Sequence, residues 1–263
     1  MRKIVASVWM IILFTASIQA KESGFGFSTA LVGMSMDYRE YGNDGAILDS
    51  EKSSFSDMIG SEFTAEYTES YESQNYAQLG IEVLFLSGET QYVGDYLTGG
   101  SGYGTVVSTT LNIVLDMSTY LMYTNSFTNG LDLGYGLALG YRSWTRTLSL
   151  TQEERYYWFS LRPRIKLSYN FSAFSIGALA EYSYAINPKM SATNVSTDFT
   201  LGSADIIKLK IPFTYELNSK IGFFAEYVYE YQSIEKSNVQ NGFYEPNSTA
   251  NNQYAKIGAT FKF

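Results

Sequence analysis

Along most of this chain apolar and polar residues alternate one by one, the period of a β-strand, whose successive side chains point to opposite faces. Residues 254–263 show it best. Ala255, Ile257, Ala259, Phe261 and Phe263 share one face, and Tyr254, Lys256, Gly258, Thr260 and Lys262 the other. The same reading predicts strands at 57–69, 77–85, 107–117 running on toward 123, 131–141, 157–169, 174–184, 207–217 and 221–231. Residues 23–38 make a further strand in which two phases compete: Phe25, Phe27 and Leu31 lie on one face, and Ala30, Val32, Met34 and Met36 on the other. That gives ten strands, with eight and twelve as the alternative counts.

The connections alternate in length. Polar, turn-rich stretches at 39–56, 87–104 (with Gly99-Gly100-Ser101-Gly102 at its tip), 143–155, 187–203 and 233–252 read as long loops. The links at 70–75, 170–173 and 218–220 are short, and Asn129-Gly130 reads as a primed hairpin turn that needs positive φ. Long loops on one side and short turns on the other, with an even strand count, are the pattern of a transmembrane barrel. In that arrangement Tyr141, Tyr156, Tyr157, Tyr184, Tyr229 and Tyr231 end high, and Tyr67, Tyr169, Phe171, Tyr215 and Phe263 end low, as two interfacial girdles. A soluble barrel would turn its apolar face inward and has no need of girdles.

The strand that ends on Phe261 and Phe263 resembles the last strand of bacterial outer-membrane β-barrel proteins, which closes on an aromatic residue. The resemblance implies recognition by the barrel-assembly machinery, with Phe261 and Phe263 as the assembly signal. It implies an all-β, antiparallel up-and-down barrel in the outer membrane of a diderm (Gram-negative) cell, expected as a monomer surrounded by outer-membrane lipid and lipopolysaccharide. Ten strands are also the count of the omptin-like proteases.

Composition fits a strand-built membrane protein. Aromatic residues make up 16% and charged residues only 17% of the chain, where about a quarter is usual for soluble domains. Residues 1–20 carry Arg2 and Lys3, an apolar run at 4–16 and a small residue, Ala20, at the end. This reads as a signal peptide, leaving residues 21–263 as the barrel; the run is shorter than the roughly 20 residues of a spanning helix. Cleavage would remove two positive charges and no acid, taking the formal net charge from -8 to -10, which disfavours nucleic acid as a partner. With no cysteine there is no disulfide and no thiolate ligand.

The absence of histidine excludes the general base on which the omptin-like proteases and the barrel acyltransferases and deacylases rely. A carboxylate-based enzyme is the third-ranked reading. No cofactor or metal is expected: the acidic residues between Asp44 and Glu51 lack the spacing of a calcium loop. Gly134, Gly136 and Gly140 sit within a strand with no helix following, so they read as close packing and not as a phosphate loop.

The lumen face carries the remaining signal. Glu62, Glu66, Glu82 and Asp116 fall on strands two to four, Arg142 on the fifth, Arg162, Arg164 and Lys166 on the sixth, and Lys208 and Lys210 on the eighth. Glu226, Glu230 and Lys256 complete the set and break a simple division into two walls. Ten strands lie near the filled end of the size scale for barrels. The favoured reading is therefore a non-enzymatic protein whose lumen charges pair and plug it, with surface loops for envelope or surface interactions. A narrow channel or transporter for small polar solutes is the alternative.

Overall fold

A computed structural model describes residues 23–71, 74–95, 102–193, 195–240 and 242–263. The expected signal peptide and the Gly99-Gly100-Ser101 tip lie outside the described residues. Twelve strands are present: β1 Gly24–Tyr41, β2 Ile47–Lys52, β3 Met58–Tyr71, β4 Asn75–Gly94, β5 Val106–Ser126, β6 Leu131–Ser149, β7 Gln152–Phe171, β8 Phe174–Ala192, β9 Phe199–Thr200, β10 Ala204–Glu216, β11 Ile221–Ile234 and β12 Asn247–Lys262. Ten of them close an antiparallel barrel in chain order, and β2 and β9 extend it upward. β2 lies above β3 between β1 and β4, and β9 lies against the upper end of β8.

Closure depends on the strand whose phase was open. β1 pairs β12 from Gly26 with Lys262 to Tyr41 with Asn247. Leu31 is 67% exposed and Val32 only 3%. Phe25, Phe27 and Leu31 therefore face outward, while Ala30, Val32, Met34 and Met36 fill the lumen. The outward apolar band continues through Ile59, Ile81, Leu121, Leu139, Ile165 and Ile257, all exposed. Below it Phe25 packs on Tyr67, Tyr169 on Phe171, and Phe174 on Phe213 and Tyr215. No helix among the described residues is long and apolar enough to cross a membrane.

The long loops prove shorter than the sequence suggests, because the staves continue above the apolar band as paired strands. Residues 39–41 complete β1 and residues 47–52 form β2, turned by Gly42 to Ala46 with Gly45 at φ 80. Residues 143–155 are mostly strand: β6 and β7 meet at a turn of Leu150 and Thr151. Likewise 87–94 belong to β4, 187–192 to β8 after a kink at Asn187 (φ 49), and 247–252 to β12. Tyr156 is not a girdle residue. It points into the lumen and is fully buried.

The turn at Asn129-Gly130 also differs from expectation. Only Gly130 has positive φ (86); Gly130 N–H donates to Phe127 O at 3.0 Å and Phe127 N–H to Leu131 O at 2.8 Å. This is a type I turn closed by a left-handed glycine, and Asn129 contributes its side-chain oxygen to Leu131 N–H (3.2 Å).

Candidate functional site

From the apolar band upward the lumen side chains fall into three layers. At the level of the apolar band, six carboxylates (Glu62, Glu82, Asp116, Glu181, Glu226, Glu230) face six cations (Arg142, Arg162, Arg164, Lys208, Lys210, Lys256). Asp116 is the centre of this layer, 2.7 Å from Arg162 Nη1, 2.8 Å from Lys208 Nζ and 3.1 Å from Arg142 Nη1. Glu230 takes Arg142 Nη2 (2.9 Å) and Lys208 Nζ (3.1 Å). Arg164 bridges Glu82 (2.7 Å) and Glu181 (2.5 Å), Lys210 reaches Glu82 (3.4 Å), and Lys256 joins Glu62 and Glu226, each at 2.8 Å. Several of these pairs span the lumen between β4 or β5 and β7 or β10, so charges from separate staves neutralise one another where an unpaired ion would be costly.

Glu226 and Glu230, which broke the division into walls, are the partners of Lys256 on the adjacent β12 and of Arg142 across the lumen. Two predicted members lie below this layer. Glu66 accepts hydrogen bonds from Gln78 Nε2 (2.5 Å) and Tyr120 OH (2.6 Å), and Lys166 is half-buried and makes none of the layer's ion pairs. Lys262 pairs Glu216 at the lower rim. Glu181 was missed, although its place between the outward Ala180 and Tyr182 put it on the inward phase.

The cavity left among these charges measures about 30 Å³ and is lined by Glu82, Asp116, Arg162, Glu181, Lys208 and Lys256 among others. That is the scale of one or two water molecules. Arg162 Nη2 and Glu181 Oε1, both buried, make no hydrogen bond within the protein.

Gly140 explains how the layer fits. A Cβ there would come within 2.2 Å of the Arg162 guanidinium carbon, so the missing side chain makes room for the cation that Asp116 holds. Gly140→Ala is expected to destabilise the barrel by about 1–3 kcal/mol through overpacking, read as a lower temperature of heat-modified gel migration in detergent.

Above the charges lies an apolar layer built from Met34, Met36, Leu86, Val114, Trp158 and Ile206. Above that, at the mouth, Arg146 is buried among carboxylates that the sequence placed in loops. Its Nη1 donates to Glu40 (2.7 Å) and Glu154 (2.9 Å), and its Nε to Glu51 (2.8 Å). The guanidinium lies 4.6 Å from the ring centre of Tyr38 and 5.5 Å from that of Trp144. Trp144 Nε1–H donates to Asn112 (2.7 Å), whose Nδ2–H donates to Glu51 (2.9 Å). Tyr156 OH donates to Glu245, carried by the segment between β11 and β12.

One cation here serves several carboxylates, and their acidities respond. Burial, followed by the negative charges of Glu40 and Glu154, holds the Glu245 carboxyl well above the usual range. Burial raises Glu154 as well, against the opposing pull of Arg146. Asp49, desolvated and near Glu40, is pushed up to about 7. The expected acidic loop at 44–51 is thus a hairpin whose Glu51 is committed to Arg146.

No family model matches the sequence, and no curated protein matches it. Among solved structures, the outer membrane protease OmpT from Escherichia coli is similar in fold, with a TM-score of 0.54 at 10% identity over 94% of this chain and 100% of that one. The transport unit of the autotransporter AIDA-I from Escherichia coli matches with a TM-score of 0.47 at 9% identity (98% and 97% covered). The translocator domain of the autotransporter NalP from Neisseria meningitidis gives 0.46 at 10% identity (100% and 97% covered). The chain has the fold of the outer-membrane β-barrels, closed with ten staves.

Proposed function

We propose that this chain is a non-enzymatic outer-membrane barrel whose lumen is closed by its own side chains and whose upper hairpins present a rigid surface for envelope or surface interactions. The observation that carries this reading is the balance of six lumen carboxylates against six cations, paired across the barrel around a cavity of about 30 Å³. The apolar layer above supports it, because no hydrated ion crosses a packed layer of Met, Leu, Val and Trp side chains without losing its water. Outer-membrane location, with lipid and lipopolysaccharide around the belt and barrel-assembly machinery engaging Phe261 and Phe263, belongs to the same proposal. The non-enzymatic part is supported by the lack of histidine and by the mouth carboxylates' commitment to Arg146 instead of a substrate.

Planar-bilayer recording of the refolded protein tests the reading. A quiet membrane is expected; steady single-channel steps would overturn it in favour of a narrow channel.

A further inference from the structure

We propose that the segment between β11 and β12, in its described residues 235–240 and 242–246, is an acid-closed latch over the barrel mouth, held down through the side chain of Glu245 and released as the pH rises. The argument begins with where this segment lies. It is tied to neighbouring elements by backbone contacts: Gly202 N–H donates to Lys236 O (3.1 Å), Asn238 N–H to Thr200 O (3.0 Å), and Glu235 N–H to Ser203 O (3.0 Å); within the segment Ser237 N–H donates to Glu245 O (3.0 Å). Lys236 Nζ reaches Asn43 Oδ1 (3.1 Å) in the β1–β2 turn and stacks on Tyr244 of its own segment. The contacts of Glu235, Lys236 and Asn238 are at or near the surface, where hydrogen bonds exchange readily with water, while Ser237 is buried beside Leu201. Glu245 is the ionisable side chain of the segment that reaches inward and is buried.

What faces Glu245 decides the sign of the effect. From β1 come Glu40 and Tyr38, from β2 Glu51 and, beyond it, Asp49, from β6 Arg146, and from β7 Glu154 and Tyr156. Arg146 is the one cation in this set; its Nη1 goes to Glu40 and Glu154 and its Nε to Glu51, and its Nη2 lies 2.8 Å from Glu51 without a hydrogen bond. Glu245 has a hydrogen bond from Tyr156 but no ion pair among the described residues. A fourth carboxylate in so small a space is tolerated when it is neutral and repelled when it is charged.

The docked side chain therefore holds its proton more tightly than it would in water, as burial and the adjacent charges of Glu40 and Glu154 require. Once the segment lifts away, Glu245 returns to the ordinary carboxylate value. Docking is accordingly fully favoured below that ordinary value and weakens as the pH climbs toward the raised docked value. Across that window each pH unit shifts the ratio of released to docked segment about tenfold.

The chain has no cysteine, so one introduced thiol gives a unique labelling position. A nitroxide on Val239→Cys reports the latch, and one on Leu150→Cys, at the β6–β7 tip, reports the rest of the mouth; both positions are exposed. Between about pH 4 and pH 9, spanning the ordinary and the raised carboxylate range, the spectrum at position 239 is expected to pass from immobile to mobile while that at 150 stays unchanged. Adding Glu245→Gln, neutral at every pH, is expected to keep position 239 immobile throughout. An unchanged spectrum at 239, the same transition in the Glu245→Gln protein, or parallel loosening at 239 and 150 would each overturn the latch. The readout does not depend on whether the lumen conducts.

Discussion

Replacing Asp116 with alanine is expected to destabilise the barrel by about 3–5 kcal/mol, the range for breaking a buried ion pair and leaving its partner uncompensated. Asp116 is the point at which three cations meet, and it is almost fully buried. Its loss affects them unequally. Arg142 and Lys208 keep Glu230 at 2.9 and 3.1 Å. Arg162 keeps only a hydrogen bond from its Nε to Ser160 (2.7 Å), so it becomes the stranded charge. Removing that charge too, in Asp116→Ala with Arg162→Ala, is expected to recover part of the loss, since five carboxylates then face five cations. Urea midpoints of the four proteins in micelles complete the cycle. A single-variant cost below about 1 kcal/mol, as at an exposed pair, would show that water screens this layer and that it is not the plug.

The staves were legible because an apolar band outside and ion pairs inside give the sharpest alternation a strand can carry. Their upper ends were not, and β6 shows why. Up to Tyr141 and Arg142 the outward residues are apolar and the inward ones small or charged; beyond them the outward positions Ser143, Thr145 and Thr147 are polar, Ser143 being covered by Arg155, while Trp144 packs inward. Once the strand rises above the outward apolar band its outer residues turn polar, so the hydrophobic face switches sides while the backbone ladder continues. Read as one pattern, the switch looks like a loss of strand. The competing phases of β1 have the same origin, with Leu31 outward on one side of the switch and Met34 and Met36 inward on the other. The mouth cluster was hidden for a further reason. Glu40, Glu51, Arg146, Glu154 and Glu245 are distant in sequence, and register brings them together only after the hairpins are recognised as strands. Most lumen charges needed no such step, since their inward phase sufficed to place them.

Replacing Arg146 with methionine is the complementary test, because it leaves the volume largely filled and removes the buried cation that Glu40, Glu51 and Glu154 share. Glu40, Glu51 and Glu154 lose their shared partner at 2.7, 2.8 and 2.9 Å, and Tyr38 and Trp144 lose the guanidinium on their rings. The expected cost is again about 3–5 kcal/mol, but it should fall on the upper hairpins and not on the staves, which have their own charge layer. Hydrogen exchange measures this directly: amides in the upper parts of β1, β2, β6 and β7 should exchange faster, and those beside the apolar band should not. The defect should depend on pH in a direction the geometry fixes. Carboxylates that have lost their counter-ion are tolerated only as neutral acids, so protection should return as the pH is lowered through the carboxylate range and vanish as it is raised. In the parent protein Arg146 opposes the effect of burial on Glu154, which is why its mouth is expected to stay closed at a pH where the variant's opens. Arg146→Lys retains the charge but not the planar set of donors that serves three carboxylates at once, and should fall between the two. Uniform loss of protection along the whole length of the staves would instead mean that the mouth and the lumen fold as one unit.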